Sequence, residues 1–220
     1  MRRPLHPLAA AVAVLLAWHA ALFAAAESFG AWQTNLIAAA VPLAIVVARG
    51  WWREAAVVPL RPQRSWWVLL PVLVLACVYV VDPLEGSASA WRETATIVLC
   101  VGISEELYAR GVMQHLLEPL GRGRAVVWVG VLFGLGHALS GAWFGKPWDD
   151  TVIQVFETAA FGACYAALRF EIATLWPLVL LHALDDLLQL RTRGAFVFSG
   201  QVVVTLLFAI YAWWLMRRRN

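Results

Sequence analysis

The chain has 220 residues, 62% of them hydrophobic and only 14% charged, with mean hydropathy +0.71. Soluble globular domains are about half apolar, so this composition excludes an ordinary soluble domain and points to an integral membrane protein. The formal charge of +3 does not indicate nucleic acid, because the arginines fall in short joints and tails where membrane topology accounts for them.

A spanning helix needs about 20 mostly apolar residues. That criterion predicts eight, roughly at 8–26, 31–48, 65–82, 94–116, 125–144, 151–168, 172–190 and 199–216. The joints leave no room for a soluble domain, so the expected architecture is all-α: a single polytopic helix bundle over 1–220. The first segment ends in a small-residue run before Glu27 that resembles a signal cleavage site, but its apolar stretch is longer than a signal core, so an uncleaved helix is expected. Trp51–Trp52, Trp66–Trp67 and Trp213–Trp214 sit beside basic residues as interfacial belts do. If both ends are cytoplasmic, that side holds twelve basic residues and the opposite side four, with Arg110 left inside the bilayer. This bias predicts both termini inside. A single Lys among 17 basic residues and abundant Ala suggest a GC-rich genome and hence a bacterial inner membrane. Cys77, Cys100 and Cys164 lie in apolar segments without a CxxC pair, so neither a disulfide framework nor a thiolate metal site is expected.

The fourth segment contains GISEELYARGVM. A charge at the bilayer centre costs on the order of 3 kcal/mol even on lenient insertion scales, so ionisable residues there face the bundle interior and mark function. Glu106 and Arg110 stand at i and i+4 with Glu first, the favourable order for an ion pair. Glu105 lies about 100° further round the helix and is the carboxylate left over for general-base work. The competing interpretation is a structural charge network between helices. Segment five carries His137 in the Gly-rich run VLFGLGHALSG, which would let another backbone approach closely. Segment six carries Glu157, equally compatible with structural bonding and with a cavity. Segment seven has His182 and Asp186 on one face, with Asp185 expected to point elsewhere and Pro177 expected to kink the helix.

Such a polar cavity within the bilayer could activate water for hydrolysis, hold a metal on His and carboxylate ligands, or conduct protons or ions. HALDD is not the HExxH helix of zinc proteases, and the acids and histidines show no repeat symmetry of the transporter kind.

Three motifs in order, Glu105-Glu106-x-x-x-Arg110, Phe133-x-x-x-His137 and His182-x-x-x-Asp186, resemble those of the CPBP family, the membrane proteins related to the Ras-converting CAAX endopeptidase and to bacteriocin-processing and self-immunity proteins. The run FGACYAALRFEIATLWPLVLLHALDD resembles the family's approach to its third motif, and the likeness covers about 100–190. It implies an intramembrane glutamic endopeptidase that acts on a membrane-associated protein or peptide without a metal or other cofactor. By that analogy Glu105 activates water, His137 assists, His182 with Asp186 holds the oxyanion, and Glu106 with Arg110 supports them. Asp186 stands where the family also uses Asn, and an ionised Asp cannot donate to an oxyanion. The role then falls to His182, or Asp186 orients that ring or carries a proton. A catalytically idle immunity or assembly partner is the alternative. Substrate identity and oligomeric state stay open.

Overall fold

A computed structural model of the chain describes residues 6–59, 66–193 and 198–218. Among them the chain forms eight helical segments. These are α1 (Pro7–Ala26), α2 (Ala31–Arg49), α3 (a broken run, Trp67–Leu69, Leu70–Ala76 and Cys77–Val81), α4 (Ala88–Glu106 with its continuation to Leu120), α5 (Arg122–Trp143), α6 (Trp148–Arg169), α7 (Trp176–Arg191) and α8 (Phe198–Arg217). The described regular structure is helical throughout, apart from one isolated bridge between Leu84 and Thr192. The expected polytopic helix bundle is thereby found, and Cys77, Cys100 and Cys164 are free thiols.

Among the described residues five helices, α1, α2, α5, α6 and α8 from Gly200, are long and apolar enough to cross a membrane. The other three fall short for physical reasons. α3 is short and opens and closes in 3-10 turns, α7 has only 16 residues, and α4 carries Arg92, Glu93, Glu105 and Glu106. The fourth helix also begins six residues before the predicted start, at Ala88, where the Ser87 side chain accepts from the Ala90 N–H.

The helices alternate in direction, which gathers the joints at two faces. Arg49, Arg53, Arg122, Arg124, Arg169, Arg217 and Arg218 lie toward one face, and Arg92, Lys146, Arg191 and Arg193 toward the other. Arg2, Arg3, Arg61, Arg64 and Arg219, which the topology reading also counted, lie outside the described residues, as does the first residue of the predicted third span.

Glycine sets how closely the helices meet. A Cβ on Gly134 would stand 2.5 Å from the Val155 carbonyl, and one on Gly130 would stand 2.6 Å from that of Ala159, so α5 lies directly on the backbone of α6. Gly134→Ala should therefore cost about 1–3 kcal/mol by overpacking. Gly123→Ala, whose Cβ would meet only the Met216 methyl at 4.0 Å, is the matched control. Thermal unfolding in detergent should show a lowered midpoint for the first variant and none for the second.

The segment after α2 is buried and braces α7 from below. Ala55 and Ala56 are fully buried, and Ala56 adopts φ 51°. Its carbonyl accepts from the Leu175 N–H at 2.9 Å and from the Thr174 hydroxyl at 3.2 Å, while Trp176 Nε1–H donates to the Val57 carbonyl at 3.0 Å. Pro177 therefore occupies the first turn of α7 rather than its interior. There its missing N–H orphans nothing, so it starts the helix and does not produce the expected kink. At the other end the Glu85 N–H donates to the Arg191 carbonyl at 2.7 Å, which clasps the head of α4 to the tail of α7.

Candidate active site

α4 and α7 run antiparallel and touch where α4 has no side chain: a Cβ on Gly102 would lie 2.9 Å from the Val179 carbonyl. One turn beyond each contact point come Glu105 and Glu106 on α4 and His182 on α7. Cα–Cβ bonds tilt toward the N-terminus of their own helix, so across an antiparallel pair these side chains lean toward each other. His182 Nδ1 lies 2.8 Å from Glu106 Oε1, and its Nε2 stands between Glu105 Oε2 at 3.8 Å and Asp186 Oδ2 at 3.6 Å. With Nδ1–H donated to the carboxylate, Nε2 is the ring atom presented to the cavity. Asp186 is on the same helical face as His182, as predicted, but outside hydrogen-bond reach of it.

Glu106 and Arg110 form the predicted pair, Oε1 to Nη1 at 3.0 Å, with both side chains fully buried. Immediately after Glu106 the helix widens into a π-helical stretch, Leu107–Met113, all seven residues of which are buried. Such stretches gather at functional sites. The Arg110 guanidinium lies over the Phe133 ring at 4.2 Å and near Phe161 and Tyr165 at 5.6 and 5.4 Å. Aromatic faces thus replace water around the cation. Phe133, the first residue of the second motif, is the platform on which the arginine of the first motif rests.

His137 Nδ1 lies 2.9 Å from the carbonyl of Phe133 one turn back, an N–H···O=C bond that fixes the ring and leaves Nε2 for the cavity. That cavity, about 450 Å³, is lined by Glu105, His137, His182 and Asp186, and also by Glu157 and Asp185. Asp185 does not point elsewhere as expected, and Glu157 is a wall residue. Among the described residues no three His, Cys, Asp or Glu side chains form a group arranged to hold a metal ion.

α1 also reaches the site, although none of the three motifs lies on it. Trp18 Nε1–H donates to Ser104 Oγ at 3.0 Å and the indole stacks on Tyr108 at 4.4 Å, next to the two glutamates. His19 lies within 2.9 Å of the Leu15 carbonyl through Nδ1 and 3.0 Å of the Gly136 carbonyl through Nε2, the latter on the residue before His137. The signal was present in the sequence: a histidine inside an apolar run is as unusual in the first span as in the fifth.

The family model Rce1-like, Type II CAAX prenyl endopeptidase Rce1-like, matches residues 87–188. That stretch runs from the cap of α4 to the last turns of α7 and contains all three motifs. No curated protein and no solved structure matches the chain.

Proposed function

Because residues 87–188 belong to the Rce1-like family of CAAX-type membrane proteases, we propose that this integral membrane protein hydrolyses a peptide bond of a membrane-associated protein or peptide, with Glu105 as the base that activates water. The observation that carries this reading is the division of labour between the two adjacent glutamates. Glu106 is fully buried and shared by Arg110 and His182, while Glu105 keeps 14% of its side chain exposed and faces the cavity. A free carboxylate, two histidines with one ring nitrogen each turned inward, and a polar cavity are the parts that hydrolysis needs.

In the proposed reaction Glu105 takes a proton from water as the oxygen attacks the carbonyl carbon. His182, with Nδ1–H anchored on Glu106, offers Nε2–H in its imidazolium form to the oxyanion, and His137 helps to orient the water. The proton on Glu105 then passes to the leaving amine as the C–N bond breaks, giving a carboxylic acid and an amine. Asp186 flanks His182 Nε2 at 3.6 Å, where its negative charge favours the imidazolium form of the ring, while Glu106 sets the ring's orientation. No metal is required by these steps.

Comparing membrane-protein termini in cells carrying the wild type, Glu105→Ala or an empty vector, with a chelator arm alongside, tests this reading. Termini lost in Glu105→Ala and insensitive to chelator are expected. Termini lost on chelation would place the chemistry on a metal, and identical termini in all arms would favour an idle immunity or assembly partner.

A further inference from the structure

A second cavity reaches the same two residues. It has a volume of about 410 Å³, is lined by Phe29, Thr34, Asn35, Ser140 and Phe144 among others, and shares Val101, Glu105 and His137 with the first. Glu105 and His137 therefore stand in the partition between two spaces.

Both spaces rise toward one face of the bundle. The first ascends past Glu157 and Gln154 to Asp150 and Lys146, using the opening turns of α6 and the closing turns of α7. The second ascends between the α1–α2 turn and the end of α5 at Phe144. Toward the opposite face the site is floored by fully buried side chains, among them Tyr108, Arg110, Met113, Phe133 and Tyr165. The open face is the one with four described basic residues, and the floored face is the one with seven. In membrane proteins the face richer in Lys and Arg at the span ends lies in the cytoplasm.

We infer that both cavities open on the non-cytoplasmic face of the membrane, and that the segment cut at Glu105 is one displayed there: the outer juxtamembrane stretch of a membrane protein or a precursor already carried across. The second half rests on the protease reading above; the orientation does not. The walls fit an unwound polypeptide. Gln154, Glu157, Gln189, Gln201 and Thr205 offer hydrogen-bonding groups around the larger cavity, where a backbone stripped of helix inside the bilayer must find partners. The smaller cavity, with Thr34, Asn35 and Ser140 in its wall, gives water a way to Glu105 that bound substrate in the larger one leaves open.

The test uses single-cysteine additions to the full chain and a membrane-impermeant maleimide on intact bacterial cells, with the wild type, which has three native cysteines, as the blank. Ser28→Cys and Asp150→Cys should label in intact cells, and Arg124→Cys only after the cells are opened. Labelling of Arg124→Cys in intact cells with Asp150→Cys protected, or equal labelling of both, overturns the orientation whatever the proteolysis shows. In the same cells, Glu105-dependent termini should map to non-cytoplasmic segments and be lost once Asp150→Cys has reacted with a bulky maleimide, while reaction at Ser28→Cys leaves them. Termini in cytoplasmic segments overturn the substrate assignment. Expected labelling with no Glu105-dependent termini overturns the protease reading and the substrate assignment with it, and leaves the orientation standing.

Discussion

Glu105→Gln should abolish cleavage while the protein stays in the membrane at wild-type amount. Loss of a general base costs about 10²–10⁴-fold in rate, and the fall should appear in kcat with KM near its original value, because in the proposed mechanism the side chain acts on water rather than on the bound segment. Stability should be spared. The nearest charged partner of Glu105 is His182 Nε2 at 3.8 Å, beyond hydrogen-bond reach, and glutamine has the same shape. His137→Gln should lower kcat in the same direction with little loss of stability, since the hydrogen bond from His137 to the Phe133 carbonyl lies within one helix. The measurement is single-turnover cleavage by detergent-purified protein of a peptide taken from the Glu105-dependent termini. Activity of Glu105→Gln within a factor of about two of wild type, well below the span expected of a base, would remove Glu105 from the chemistry.

What the sequence revealed and what it hid divide along the range of the interactions. Glu106 with Arg110 follows from i,i+4 spacing alone, and Glu105 follows by elimination, because helical geometry is local. The long-range half did not follow. His182 finds Glu106 across 76 positions of chain, and only because Gly102 lets α4 settle on the backbone of α7 at Val179. Phe133 opens the second motif, but nothing in that motif says that its ring is the seat of Arg110. Rotation about a single helix points Asp185 away from His182 and Asp186, yet a cavity walled by six helical segments receives side chains over a wide arc. The π-helical stretch after Glu106 has no sequence signature of its own and depends on burial against α1 and α2. Hydropathy weakens at the site itself, since Glu105 and Glu106, which α4 brings to the cavity region, are among the charges that keep α4 from being an apolar span.

Those same charges make the supporting pair the most sensitive point of the fold. Arg110→Leu should destabilise the protein by about 3–5 kcal/mol, because it leaves Glu106 as an uncompensated buried charge. Glu106→Leu should do the same from the other side, leaving the guanidinium with the faces of Phe133, Phe161 and Tyr165 and no carboxylate. The double variant separates structure from function. Replacing both members of a buried ion pair by apolar groups of similar volume is often close to neutral, so Glu106→Leu with Arg110→Leu should recover most of the stability that either single change loses. Cleavage should not recover. His182 loses the acceptor that fixes its Nδ1–H at 2.8 Å, and a catalytic histidine without its orienting carboxylate falls by as much as about 10⁴-fold in kcat. Thermal unfolding in detergent for the three variants, set beside their cleavage rates, checks both halves. A double variant as unstable as the singles would mean that the pair is required for folding itself; a stable and active one would mean that Glu106 does not orient His182.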